Sequence, residues 1–552
     1  MRILFLVSAH NSLSQRAQIA LTELGHDIDV AVVSGALEME AAVARHRPEL
    51  IVCPMLKAII PESIFRAHQC LIVHPGPRGD RGPSSLDWAI ETGATRWGVT
   101  VLEATAEVDG GDVWASRTFP MREAGKSSLY RHEVRRATIE AVVAAVRDVA
   151  AGDVAPEPLD PADPRAFGRE RPLLRQAERA IDWSSDTTAT VLRRIRAAEG
   201  HPGVLDEIDG RPFHLFGGHR EPVLRGRPGA LLAQRDGAVC RATVDDAVWI
   251  THLRPPDGFK LPAVVALGGV DLPAAGDWRE ISYEERGGVG YLQFDFYNGA
   301  MSTDQCRRLL DAYRAALRRP TRVIVLLGGR DFFSNGIHLN VIEAAEDPAV
   351  ESWWNLQAID DVVREIVETG SHLVVSALSG DAAAGGVPFA LAADVVVARE
   401  DVVLNPYYRH MGGLYGSEYW TYLMPRRIGH EPTAELTSAP FEPVGTRRAV
   451  EIGLLDDAFG DTVERFRGRV GTLARELAAA PDFEARLEAK RLARRVDEAI
   501  KPLSAYRAEE LARSHECFFG PDRSYHEARH RFVHKLGAPC VVTPAAVAPR
   551  AA

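Results

Sequence analysis

The chain has 552 residues, of which 46% are hydrophobic and 26% charged, and it carries a formal net charge of -11. That length exceeds one hydrophobic core and predicts about three domains. The acidic balance, with no long Lys/Arg run, excludes nucleic acid or an anionic membrane as the main partner.

The opening RILFLV is too short an apolar run for a signal peptide and reads as a buried first strand. No segment approaches the roughly 20 apolar residues of a membrane span. A helix over 14–24 follows, then strands in DVAVV, ELIVCPM and CLIVH, and WAIETG closes another helix. This alternation predicts a parallel α/β sheet covered on both faces. The Pro- and Asp-rich stretch 151–172 reads as a linker. A helix over 187–197 then leads into short strands punctuated by Gly and Pro, which suggest a small β-barrel ending near residue 272. After a second linker, DLPAAGDW, the strands VGYLQFDF, TRVIVLLGG, HLVVSALSG and ADVVVARE alternate with helices over 303–318 and 351–368. The expected division is 1–165, 173–272 and 278–535, with a disordered low-complexity tail over 536–552. Cys53, Cys70, Cys240, Cys306, Cys517 and Cys540 form no Cys-x-x-Cys pair and are expected as reduced thiols in a cytoplasmic protein.

The chemistry-bearing residues of the first third are His74, at the end of a predicted strand, and Asp109, in the turn Val-Asp-Gly-Gly-Asp. Open parallel sheets place ligands at strand ends. An imidazole can stabilise the tetrahedral oxyanion of acyl transfer, while a carboxylate raises its pKa and orders a proton-carrying water. His74-Pro75, Gly98-Val99-Thr100 and Asp109-Gly110-Gly111 together resemble the folate-dependent formyltransferases, which act on glycinamide ribonucleotide and methionyl-tRNA. The segment MLKAIIP (55–61) resembles their pterin-lining strand end, which implies folate contacts from Met55, Leu56, Lys57 and Ile59. IDWSSDTTATVLRRIRA and HPG, within 181–203, resemble the start of the methionyl-tRNA enzyme's C-terminal barrel. The resemblance departs at Ile72, where that family has Asn. One oxyanion donor worth about 2.7–4 kcal/mol is then missing, so either the acceptor differs from that family's usual amine or the site is weakened. Ser12, Ser14 and Gln15 open the first helix and offer donors for an acceptor's phosphate, or simply cap the helix. Arg131 is expected as a further cofactor contact.

Residues 280–465 resemble the crotonase (enoyl-CoA hydratase/isomerase) superfamily through FYNGAMS, RDFFSNGIHL, SGDAAAGGVPFALAADVVVA and RRAVEIGLLDDAF. The resemblance implies a spiral α/β fold, a coenzyme A thioester ligand, and oxyanion donors from the backbones of Ile337 and Gly385. The positions of the two hydratase carboxylates hold Pro388 and Tyr408, so hydration of a double bond is not expected. Tyr407, Tyr408, Tyr415, Glu418 and Tyr419 cluster nearby in the sequence, and Tyr408 and Glu418 are the candidate proton carriers. The motif HEARH (526–530) fits H-E-x-x-H, but it reads better as an amphipathic helix packing through Tyr525, Ala528, Phe532 and Val533. No metal is expected.

The combined halves resemble the HypX family of [NiFe]-hydrogenase maturation proteins. That resemblance implies N10-formyl-tetrahydrofolate and coenzyme A as cofactors, formyl-CoA as intermediate, carbon monoxide as product, and the hydrogenase maturation machinery as partner. Three other readings stand beside it: an amine formyltransferase with an inert crotonase-like scaffold, an acyl-CoA hydratase, and a non-catalytic scaffold.

Overall fold

The computed structural model describes residues 1–160, 162–438 and 443–536. Residues 537–552 of the low-complexity tail, Cys540 among them, lie outside these residues. Among the described residues no helix is long and apolar enough to cross a membrane.

The N-terminal sheet has the strand order Asp27–Val32, Arg2–Val7, Leu50–Cys53, Cys70–His74, Arg96–Glu103, Val113–Pro120. The first four strands are parallel, as the alternation of apolar runs and helices predicts, and Arg96–Glu103 pairs antiparallel with both Cys70–His74 and Val113–Pro120. Helices Ser12–Glu23 and Arg135–Ala151 cover one face, where Phe5, Val52, Leu71 and Val142 form a core. The first helix begins two residues before the expected 14, because Asn11 Oδ1 caps it by accepting from the N–H groups of Leu13 and Ser14.

An antiparallel sheet follows, in the order Val204–Ile208, Arg211–Glu221, Ala247–Arg254, Ala238–Ala242, Leu231–Arg235, with Leu261–Pro262 beside Ala247–Arg254. Helix Thr188–Ala197 packs Val191, Leu192 and Ile195 against it.

Among the described residues the C-terminal half contains two sheets. One runs Ile281–Arg286, Val289–Phe294, Val323–Leu327, Leu373–Leu378, Val395–Ala398, Asp457–Ala458, and is parallel after its first antiparallel pair. The other runs Phe332–Ser334, Asp381–Ala383, Val403–Asn405, Val444–Gly445. The central strands Val323–Leu327 and Leu373–Leu378 read as nearly continuous apolar runs because both of their faces are buried. Helices Pro348–Glu368 and Leu503–Phe519 pack against each other.

Candidate active sites

His74 is buried at the end of its strand with a carboxylate on each ring nitrogen. Nε2 lies 2.9 Å from Asp80 Oδ2, and Nδ1 lies 3.4 Å from Asp109 Oδ2. Burial disfavours the charged ring, but hydrogen bonds and charges from Asp109 and Asp80 outweigh it and raise the pKa from 6.5 to about 9. Burial pushes the Asp109 carboxyl up, yet its bond to His74 and the imidazolium charge hold it below the usual range. The site is therefore an imidazolium between carboxylates at neutral pH. Asp109 sits in a turn with φ +55°, and the Gly82 N–H reaches its Oδ2 at 3.4 Å. Gly76 makes the arrangement possible, since a Cβ there would lie 2.3 Å from Asp80 Oδ2 and 2.6 Å from His74 Nε2.

Asp80 was not among the residues singled out from the sequence. Its only signal is an acidic residue inside the Gly/Pro-rich loop that follows His74. The stretch expected to be a linker explains how that loop is held. Gly168 N donates to Arg78 O at 2.9 Å, Arg171 N donates to Arg81 O at 3.0 Å, and Arg78 pairs with Glu157 and Asp163. Part of 151–172 is thus a strap over the Asp80 loop rather than a free connection.

Met55 and Lys57 follow strand Leu50–Cys53 and are tied to the first strand's end. Ser8 N donates to Met55 O at 2.8 Å, and Lys57 N donates to Ser8 Oγ at 2.9 Å. Leu56 and Ile72 pack against one apolar cluster, whereas Ile59 is exposed. Ile72 lies between Cys53 and Leu102 in the sheet and offers no side-chain donor.

The second constellation surrounds Glu418, which is 1% exposed. Its Oε2 accepts from Tyr408 Oη at 2.9 Å and from Ser417 N at 3.1 Å. Burial and then the charge of Asp360 push its carboxyl up to about 8. Burial pushes the Tyr408 phenol up as well, so it remains a donor. Glu418 and Tyr419 have φ of +62° and +57°, a left-handed pair that costs of order 1–3 kcal/mol per residue. Two further buried carboxylates hold the pair: Asp360 Oδ1 accepts Glu418 N at 2.7 Å, and Glu510 Oε2 accepts Tyr419 N at 2.9 Å. Arg507 Nε lies 3.6 Å from Asp360 Oδ2. Asp360 and Glu510 come from helices Pro348–Glu368 and Leu503–Phe519, and nothing in their sequence spacing connects them to Glu418.

The Glu418 carboxylate faces Gly385 closely. A Cβ on Gly385 would lie 2.3 Å from Glu418 Oε1, and one on Gly336 would lie 3.2 Å from Gly385 N. The loops carrying Ile337 and Gly385 therefore adjoin, with the carboxylate beside them. Pro388 is buried in helix Gly386–Leu391. A cavity of about 400 Å³ is lined by Ile337, Gly385, Tyr407, Tyr408 and Glu418, and also by Ser12, Gln15 and Arg131 of the N-terminal third. Tyr415 and Tyr419 are not in its wall; Tyr415 packs on Trp420, and Tyr419 is buried in the core. Ser14 also departs from expectation, because it is fully buried and its hydroxyl bonds back to Asn11 O at 3.0 Å.

Polar contacts join the two halves beside this cavity. Gln15 Oε1 accepts from Asn405 Nδ2 at 2.9 Å. Arg131, on the π-helical turn Tyr130–Val134, pairs with Asp331 at 3.3 Å and lies over the Phe332 ring. Buried Arg135 donates through Nη1 to both oxygens of Asp381, at 3.1 and 3.0 Å.

Family comparisons agree with this architecture. The formyl transferase family matches residues 34–146, the formyl transferase C-terminal domain 173–269, and the enoyl-CoA hydratase/isomerase family 284–539. The hydrogenase maturation factor HoxX of Bradyrhizobium diazoefficiens is 48% identical over 542 residues, covering 97% of this chain and 95% of that protein. The chain belongs to the HoxX/HypX family of hydrogenase maturation factors. A crystal structure of HypX from Aquifex aeolicus superposes with a TM-score of 0.94 at 44% identity, covering 98% of this chain and 97% of that one. Another crystal structure of the same HypX holds tetrahydrofolic acid. The likeness to methionyl-tRNA formyltransferase of Variovorax paradoxus, 30% over 256 residues, is confined to 44% of the chain and takes in 76% of that enzyme. The HoxX/HypX family thus joins formyltransferase modules to a crotonase-type module in one polypeptide, and both module types imply an enzyme.

Proposed function

We propose that this family member transfers the formyl group of N10-formyl-tetrahydrofolate to coenzyme A, then decarbonylates formyl-CoA to carbon monoxide for a hydrogenase active site. The observation that carries the reading is the cavity whose wall contains both Ser12, Gln15 and Arg131 and the Ile337, Gly385, Tyr408 and Glu418 group. A CoA molecule bound there would touch formyltransferase and crotonase elements at once. The tetrahydrofolic acid bound to Aquifex aeolicus HypX supports a folate donor.

In the first step the CoA thiolate sulfur attacks the formyl carbon. The His74 imidazolium stabilises the tetrahedral oxyanion, and collapse expels the N10 amine, which takes a proton from the His74/Asp109 pair. Ile72 removes the amide donor used for amine acceptors, and a thiol is the better nucleophile once partly ionised. CoA should accordingly outcompete glycinamide ribonucleotide and an aminoacyl acceptor. In the second step the Ile337 and Gly385 N–H groups hold the thioester oxygen. Glu418 as carboxylate removes the formyl proton while Tyr408 orients it; the C–S electron pair leaves with sulfur, and the proton passes to the thiolate. The products are carbon monoxide and free CoA, so CoA is regenerated.

The test is incubation with N10-formyl-tetrahydrofolate with and without CoA, following tetrahydrofolate and carbon monoxide. The reading expects tetrahydrofolate release to require CoA. Formylation of an amine with no CoA requirement would favour the inert-scaffold alternative instead.

A further inference from the structure

The H-E-x-x-H pattern does not form the cluster its spacing suggests. His526 is buried and its Nε2 donates to Phe518 O at 2.9 Å, so it is committed to the core. His530 instead shares a helix face with His534, one turn on. Both meet Glu343, which comes from helix Leu339–Ala344 and lies 187 positions before His530. His530 Nδ1 lies 2.6 Å and His534 Nε2 3.4 Å from the same oxygen, Glu343 Oε1. The ligand-type atoms of all three residues fall within 4.8 Å of one another.

From this convergence we propose that Glu343, His530 and His534 bind one divalent late first-row cation of the Zn²⁺ or Ni²⁺ type. Bonds of about 2.0–2.1 Å in tetrahedral geometry separate neighbouring ligand atoms by about 3.3 Å. The 3.4 Å separation already fits, and the 2.6 Å one is a hydrogen bond that opens by less than an ångström when a cation replaces its proton. Arg529 Nε holds the other oxygen, Glu343 Oε2, at 2.7 Å, which turns Oε1 toward the histidines. Its positive charge nearby lowers affinity, so the site binds reversibly rather than as a permanent structural centre. Two imidazoles and one carboxylate favour late transition cations over Mg²⁺ or Ca²⁺. Three protein ligands leave a fourth position for water, and the exposed rims of His530 and His534 give access to it.

The site bridges two walls of the cavity described above. Leu339 begins the helix that carries Glu343, and Phe532 sits between the two histidines; both side chains line the cavity. A bound cation would clamp these walls together, which gives an exposed Phe532 a reason to be at the cavity rim.

The experiment is calorimetric titration of zinc sulfate into the untagged full chain, with His530→Gln and His534→Gln as separate variants and magnesium chloride as control. Wild-type protein should bind one equivalent of zinc, show a raised melting temperature with it, and ignore magnesium. Each variant should lose at least about tenfold in affinity, the lower end of the cost of disturbing even an outer-shell partner. Both substitutions lie on the surface, and circular dichroism checks that the helix persists. Zinc binding of equal stoichiometry and affinity in all three proteins, or none in the wild type, would overturn the proposal.

Discussion

His74 is held between two carboxylates, and the three side chains should separate experimentally by what each does. His74→Ala or Asp109→Asn should lower folate-dependent formyl transfer by at least about 100-fold, measured as tetrahydrofolate release; near-wild-type release would remove the pair from the mechanism. Asp80→Asn should act differently. The imidazolium is present below about pH 9 and lost above it. Removing one of its two anionic partners lowers that pKa, so the alkaline limb of the kcat/KM profile should move to lower pH. An unmoved limb with reduced activity would make Asp80 a loop anchor only. At Glu418 the sign is opposite. A carboxyl pushed up to about 8 is mainly protonated at neutral pH, so carbon monoxide release from formyl-CoA should climb as pH rises toward 8. Glu418→Gln should be slow and flat with pH, and Tyr408→Phe should also slow this step. Both should keep tetrahydrofolate formation, because a group acting after transfer leaves the earlier step intact.

Among the elements, the strand that ends in His74 was legible from its apolar run, whereas the loops of Ile337 and Gly385 were indicated only by the resemblance of their motifs to the crotonase superfamily. The partners that tune them were not. Asp80 has no periodic signature and reaches His74 only because Gly76 lets the loop fold back and the 151–172 strap pins it. Asp360 and Glu510 lie on amphipathic helices, where an isolated acid reads as surface, yet both point inward to hold the left-handed Glu418–Tyr419 pair. Ser14 and Phe532 were misplaced for a related reason: a local pattern gives the helix but not which of its faces the neighbouring element covers. The closeness of Gly385 to Glu418 supplies an element-level prediction. Gly385→Ala places a methyl 2.3 Å from Glu418 Oε1, and its backbone φ is ordinary, so the loop should fold while the carboxylate is displaced. Carbon monoxide release should fall at least about 100-fold with tetrahydrofolate release retained, as read in a two-product time course; unchanged release would show that Glu418 tolerates displacement.

For the whole molecule, the join between the halves matters as much as either site. Arg135 and Asp381 are buried together, and Asp381 Oδ1 also accepts Val403 N at 2.9 Å beside the cavity strands. Arg135→Ala would strand that carboxylate without its cation, a loss of about 3–5 kcal/mol, to be read from urea denaturation of the full chain. A loss under about 1 kcal/mol would mean that water replaces the guanidinium and that the interface is loose. The central claim, that one polypeptide moves a formyl group onto CoA and then releases it as carbon monoxide, makes CoA catalytic. Its most direct test uses N10-formyl-tetrahydrofolate labelled with ¹³C in the formyl group, in large excess over CoA. The account predicts ¹³CO in the headspace equal to the tetrahydrofolate formed, over many turnovers per CoA. Tetrahydrofolate formation that stops at one equivalent of CoA, or proceeds with no ¹³CO, would contradict it.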